Sequence, residues 1–230
     1  MKIHGLQKMT LLDYPGKVAC TVFLGGCDFR CPFCHNFELV DGSAPPVMED
    51  AEFFSFLEKR HGLLDGVAVT GGEPCLRPEL PAFLGRIREM GYAVKLDTNG
   101  TSPERLRSLV LGGLVQYVAM DIKNSPGKYA LTAGVPDAGL ERINRSIAFL
   151  RQGHVDYEFR TTVVDELHDA ADFEAIAKWI EGAPRYFLQP FTDRDSVPTE
   201  GFHAPSPERM RAYLRILQTA LPGAEIRGMD

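Results

Sequence analysis

Three cysteines fall within eight residues of one another in the stretch Gly25-Gly26-Cys27-Asp28-Phe29-Arg30-Cys31-Pro32-Phe33-Cys34-His35-Asn36. Thiolates at a C-x3-C-x2-C spacing on one short loop can hold three corners of a cubane iron–sulfur cluster and leave its fourth iron without a protein ligand. Such an iron can bind and reduce a small molecule, whereas a fully cysteine-ligated cluster chiefly carries electrons. A competing reading is a structural zinc site with His35 as fourth ligand, since Cys3His is a common tetrahedral set. It requires the adjacent Cys34 and His35 to turn toward one ion. An odd total of five cysteines suits a metal or cluster site in a reducing compartment better than a disulfide framework. Cys20 and Cys75 stand alone in the sequence and read as small buried residues.

Other residues of chemical interest recur at the ends of short apolar runs. Thr70-Gly71-Gly72-Glu73-Pro74 follows one run, and its two glycines let backbone come close to a ligand and turn carbonyls toward a cation such as an ammonium group. Leu96-Asp97-Thr98-Asn99-Gly100 follows the next, and Ala119-Met120-Asp121-Ile122-Lys123 the one after. Carboxylates at the ends of buried strands need partners, so Asp97 and Asp121 imply cations or hydrogen-bond donors, or in part the capping of a following helix. Lys123 could neutralise a substrate carboxylate or be an ordinary solvated lysine. Together these groups describe a site for a zwitterionic amino-acid ligand beside a cluster.

The elements that must position them alternate regularly. β-rich runs predict strands over 18–24, 66–70, 93–97, 117–121, 156–164 and 186–189. Amphipathic patterns predict helices over 49–60, 78–90, 103–110, 140–151, 170–180 and 207–220. Ser102-Pro103-Glu104 and Ser206-Pro207-Glu208 mark helix starts, and Gly91 and Gly153 mark stops. Six strand–helix units imply parallel pairing with right-handed crossovers, in an open doubly wound sheet or a curved partial barrel, with the chemistry at the C-terminal rim of the strands.

Composition narrows the partners. A chain of 230 residues, 44% hydrophobic and 24% charged, is expected to form one domain over 1–230. A formal charge of −6 gives no basic footprint for nucleic acid. The apolar stretch 18–24 is too short to span a bilayer and no signal-peptide pattern opens the chain, so a cytoplasmic protein is expected.

The cysteine motif, with Phe33 before its last cysteine and His35-Asn36 after it, and the Gly-Gly-Glu-Pro motif resemble those of radical S-adenosylmethionine enzymes. The resemblance spans almost the whole chain and is strongest to the activating enzymes of glycyl radical enzymes, in particular those of anaerobic ribonucleoside-triphosphate reductase. It implies a partial (β/α)6 barrel. Cys27, Cys31 and Cys34 would bind a [4Fe-4S] cluster whose fourth iron is chelated by S-adenosylmethionine; Phe33 would lie by the adenine, and Gly71, Gly72 and Glu73 would meet the methionine amino group with Thr98 nearby. Lys123 would approach the cofactor carboxylate, while Asp97, Thr98, the Met120 carbonyl and Asp121 could hold a monovalent cation. Asp13-Tyr14-Pro15-Gly16 matches an Asp-Gly-Pro-Gly stretch of pyruvate formate-lyase activating enzyme, with Tyr14 departing from the glycine. Where that relative has a histidine near the ribose, this chain has Gln189-Pro190-Phe191, which makes Gln189 the candidate contact. The implied partners are a glycyl radical enzyme as protein substrate and a low-potential donor such as flavodoxin or ferredoxin. A radical enzyme acting on a small molecule or peptide, with 192–205 as a lid, and a non-enzymatic iron–sulfur or zinc module are the alternatives.

Overall fold

The computed structural model describes residues 1–229. Its main sheet contains β2 (Gly5–Thr10), β3 (Ala19–Leu24), β5 (Gly66–Gly71), β6 (Ala93–Thr98), β7 (Tyr117–Asp121), β8 (Asp156–Val163), β9 (Tyr186–Pro190) and β10 (Ala224–Ile226). A two-stranded sheet pairs β1 (Lys2–Ile3) with β4 (Met48–Glu49). In the main sheet each strand beyond β3 lies beside the one made just before it, in the order β10-β9-β8-β7-β6-β5-β3-β2. All neighbours are parallel except β2, which runs antiparallel to β3 at one edge. An order that never reverses has no switch point, which excludes the doubly wound alternative; right-handed crossovers then put the helices on one side and curve the sheet into a partial barrel.

The crossovers carry α2 (Asp50–Glu58), α3 (Leu80–Glu89), α4 (Pro103–Leu111), α6 (Leu140–Leu150), α7 (Ala170–Trp179) and α8 (Pro207–Gln218). Pro103 and Pro207 occupy first-turn positions, and the Ser206 hydroxyl accepts from the Arg209 amide. Gly91 and Gly153 adopt positive φ after α3 and α6, as their sequence positions predict. The predicted helices are accurate to two residues at either end. Two five-residue helices, α1 (Phe37–Asp41) and α5 (Tyr129–Ala133), were not predicted.

Strand alternation divides the side chains. Val67, Val69, Val94, Leu96, Val118, Met120 and Phe159 are buried in the core beneath the helices. The opposite, concave face carries Thr21, Lys95, Asp97, Asp121, Glu158 and Arg160, and its lower end is closed by Tyr14. The Tyr14 ring stands against Gly66, where an added Cβ would lie 3.0 Å from it, and packs 6.0 Å from the Tyr117 ring. The residue that departs from the glycine of the related motif therefore plugs the barrel floor. Cys20 and Cys75 are buried free thiols. Among the described residues no helix is long and apolar enough to cross a membrane.

Candidate active site

The cysteine loop leaves β3 at the C-terminal rim and is held on three sides. The Gly26 amide donates to the Leu39 carbonyl at 2.7 Å, the Gly26 carbonyl accepts from the Glu73 amide at 2.8 Å, and the Arg30 amide donates to the Ala133 carbonyl at 2.9 Å. Two glycines make this approach possible. A Cβ on Gly72 would fall 2.1 Å from the Gly26 carbonyl oxygen, and one on Gly134, at φ +67, would fall 2.0 Å from that of Arg30. The Phe29 amide points at the Cys27 sulfur at 3.4 Å. Burial pushes the Cys27 thiol up to about 12 and the Cys31 thiol up to about 11, the latter opposed by the Lys123 ammonium; burial raises Cys34 as well. Loading a metal onto these thiols must therefore expel their protons.

Glu73 turns away from the opening. Only 1% exposed, its carboxylate accepts from Thr98 Oγ1 at 2.9 Å, the Asn99 amide at 2.6 Å and the Cys75 amide at 3.0 Å. Burial raises its pKa to about 7 against the pull of these donors. It fastens the end of β5 to the end of β6 and so fixes the Gly71-Gly72 turn, whose Gly71 carbonyl accepts from Asn36 Nδ2 at 3.3 Å.

Charges dominate the far wall. Lys95 pairs with Asp97; Arg160 reaches Asp97 at 3.4 Å and Asp121 at 3.0 Å; Lys123 meets Asp121 at 2.9 Å. Three cations face two carboxylates, leaving one positive charge in excess. Burial would push the Asp121 carboxyl up, but Lys123 and Arg160 outweigh it and hold it down to about 2. Asp97 is likewise held low against burial, by Arg160 and Lys95. The two carboxylates expected to share a monovalent cation thus already share the Arg160 guanidinium, and neither serves as a helix cap.

Cys27, Cys31, Cys34, Phe33, Gly71, Gly72, Asp97, Thr98, Lys123 and Gln189 all line one pocket of about 380 Å³, together with Asp121. Glu73 does not line it, for the reason given, nor does Met120, which is fully buried with its thioether folded against Gly100. Asp13 and Asn99, which the sequence offered only within the Asp13-Tyr14-Pro15-Gly16 and Asp97-Thr98-Asn99 motifs, also line the pocket, as do Arg160 and Thr162, which it did not single out. Arg160 had a signal: Glu158, Arg160 and Thr162 put polar groups at every second position of β8, the mark of one face turned to a polar interior.

The His35 ring donates to the Thr192 carbonyl at 2.6 Å and stacks on Phe191, with ring centroids 5.5 Å apart. Among the described residues no three His, Cys, Asp or Glu side chains converge closely enough to hold a single ion. That disfavours the zinc arrangement. Three thiols facing one pocket, with no fourth thiol in its lining, form a donor set that fits a cubane with one iron left open.

Comparisons with known proteins agree with this geometry. The sequence model of the radical SAM superfamily matches residues 21–180. A Methanocaldococcus jannaschii protein with the provisional name glycyl-radical enzyme activating enzyme is 33% identical, over 99% of this chain and 96% of its own length. Pyruvate formate-lyase-activating enzyme of Listeria monocytogenes is 25% identical over 95% of this chain and 96% of its own. A crystal structure of a domain of pyruvate-formate lyase-activating enzyme from Bacteroides vulgatus shares the fold, with a TM-score of 0.58 and 23% identity over 71% of this chain and 99% of that one.

Proposed function

From the premise that the chain belongs to the radical SAM superfamily, among the enzymes that activate glycyl-radical enzymes, we propose that it generates a glycyl radical on a partner protein by reductive cleavage of S-adenosylmethionine. The observation that carries this reading is the joint lining of one pocket by three thiols, a Gly-Gly turn and a cationic wall. When bound, a [4Fe-4S] cluster would supply the low-potential electron that breaks the C5'–S bond of S-adenosylmethionine, giving methionine and a 5'-deoxyadenosyl radical able to take hydrogen from the substrate.

The chain's own residues hold, orient and exclude. Cys27, Cys31 and Cys34 hold the cluster as thiolates. Backbone carbonyls of the Gly71-Gly72 turn receive the amino group of S-adenosylmethionine, and Thr98 flanks it. The excess positive charge of Lys123 and Arg160, whose side chains are largely buried, receives its carboxylate, and charge pairing there is stronger than in bulk water. Phe33 offers a face to the adenine and Gln189 a polar contact to the ribose. A flavodoxin or ferredoxin would supply the electron, and anaerobic ribonucleoside-triphosphate reductase is the protein substrate we favour.

The test uses anaerobically reconstituted protein with a strong reductant. Wild type is expected to release 5'-deoxyadenosine and, with a purified glycyl radical enzyme added, to produce the electron paramagnetic resonance doublet of a glycyl radical. Cys31→Ala is expected to do neither. A well-formed cluster that leaves S-adenosylmethionine intact would overturn the radical chemistry; cleavage without a protein radical would point to a small-molecule or peptide substrate.

A further inference from the structure

Asn99 lies in the loop after β6, is 5% exposed, and lines the pocket that the three cysteines share. Its surroundings leave its side-chain amide one orientation. The backbone amide is held by the Glu73 carboxylate at 2.6 Å, and Oδ1 accepts twice from Thr101, from the amide at 3.0 Å and from the hydroxyl at 2.8 Å. An amide whose oxygen serves two donors must turn its nitrogen the other way. That side is the cysteine loop, where Nδ2 donates to Asp28 Oδ1 at 2.8 Å and points at the Cys27 sulfur at 3.9 Å. The nitrogen carries two hydrogens, one for each acceptor.

Cys27 is singled out by this arrangement. Among the described residues Asn99 alone turns a side-chain donor toward a sulfur of Cys27, Cys31 or Cys34. The Phe29 amide faces the Cys27 sulfur from the loop itself at 3.4 Å. Asp28 brings a contrary influence, since its Oδ1 lies 4.0 Å from the same sulfur. Asn99 is thus lodged between a carboxylate and a cluster ligand.

These neighbours act on an added electron in opposite senses. Reducing a cubane adds negative charge that spreads onto its cysteine sulfurs. A donor aimed at a sulfur stabilises that charge and raises the reduction potential, whereas a carboxylate beside it repels the charge and lowers the potential. Asn99 does the first directly, and its bond to Asp28 Oδ1 weakens the second. The bonds to Thr101 shape the loop, but the bonds from Nδ2 have no such role, because both leave the loop for another element.

We propose that Asn99 sets the reduction potential of the cluster through Cys27, as a positioning residue that offsets the Asp28 carboxylate. The proposal rests on the iron–sulfur reading of the three thiols and adds to it a residue that adjusts the electron without binding iron.

The experiment is a redox titration of reconstituted protein without S-adenosylmethionine, following the electron paramagnetic resonance signal of the reduced cluster. Wild type is compared with Asn99→Asp, which keeps the acceptor for Thr101 and loses the donor, with Asn99→Ser, which is too short to reach Cys27, and with Asp28→Asn. At a fixed potential the ratio of reduced to oxidised cluster is expected to fall about fivefold in both Asn99 variants, the worth of one ordinary hydrogen bond. In Asp28→Asn it is expected to rise, with iron and sulfide per chain at the wild-type level throughout. A potential unchanged in either Asn99 variant, or shifted the same way by Asn99→Ser and Asp28→Asn, would overturn the proposal and leave the cluster reading intact. Failure of both Asn99 variants to take up iron and sulfide would make Asn99 a structural residue of the loop and overturn it equally. Wild type that forms no [4Fe-4S] cluster would overturn the iron–sulfur reading, and the tuning role with it.

Discussion

Arg160 stands between two carboxylates, and its removal would leave each with a single lysine: Asp97 with Lys95 and Asp121 with Lys123. Two cations would then face two carboxylates on that wall, with no positive charge in excess to meet an anionic ligand group. Arg160→Met is therefore expected to weaken S-adenosylmethionine binding at least about tenfold, the scale on which truncating one partner of a buried charge pair acts. Equilibrium dialysis in potassium chloride against tetramethylammonium chloride would measure it. Wild type should bind equally in both salts, whereas the variant should recover part of its affinity in potassium, because the gap between the carboxylates then suits a small cation. At this scale the sequence was partly legible. Cys27, Cys31 and Cys34 announce themselves by spacing, and Asp97 and Asp121 by ending apolar runs. Arg160 shows only the alternating polarity of β8, which marks its face and not its partners, because its importance depends on the register that sets it beside Asp121, and that register is a property of two strands 39 residues apart.

Among the elements, the loops after β3 and β5 and the turn after α5 fit together only where side chains are missing. The Gly134 Cβ position is occupied by backbone, so Gly134→Ala must push Arg30, and with it Cys31, out of place. Overpacking of this kind costs about 1–3 kcal/mol, and positive φ adds to it. The variant is expected to fold with a lowered melting temperature and to incorporate less iron and sulfide per chain than wild type on reconstitution; equal incorporation would show that the loop tolerates the shift. The six strand–helix units were readable because parallel strands buried on both faces appear as short apolar runs. β2 and β10 were not: β2, as Gly-Leu-Gln-Lys-Met-Thr, is a largely solvated edge, and β10 has three residues. Nor were α1 and α5, each too short for a periodic pattern to develop.

For the whole molecule, the barrel interior is tied together by ions at both levels. Below the pocket, Glu158 is fully buried and bonded by Arg227, just beyond β10, at 3.0 Å and by the Tyr117 hydroxyl at 2.7 Å. Arg227→Met is expected to cost about 2 kcal/mol, below the range for breaking a fully buried pair because the Arg227 side chain is 34% exposed and Tyr117 remains. Burial pushes the Glu158 carboxyl up, but Arg227, with Arg160 and Tyr117, holds it below its ordinary value in the folded chain. That stabilisation is present above the ordinary carboxylate range and is lost as pH falls through the folded value. The difference in stability between wild type and variant should thus be widest at neutral pH and close in acid, as chemical denaturation at several pH values would reveal.

The unreversed strand order bears on how the protein is made. Each strand beyond β3 finds its neighbour in the segment translated just before it, so the sheet can be laid down in the order in which it leaves the ribosome. The three thiols emerge early, yet the Gly134 turn that supports their loop follows about a hundred residues later. A nascent chain consequently carries its cysteines before it has a pocket to hold them in, and delivery of iron and sulfide becomes a late event that waits for more than half the polypeptide to be synthesised.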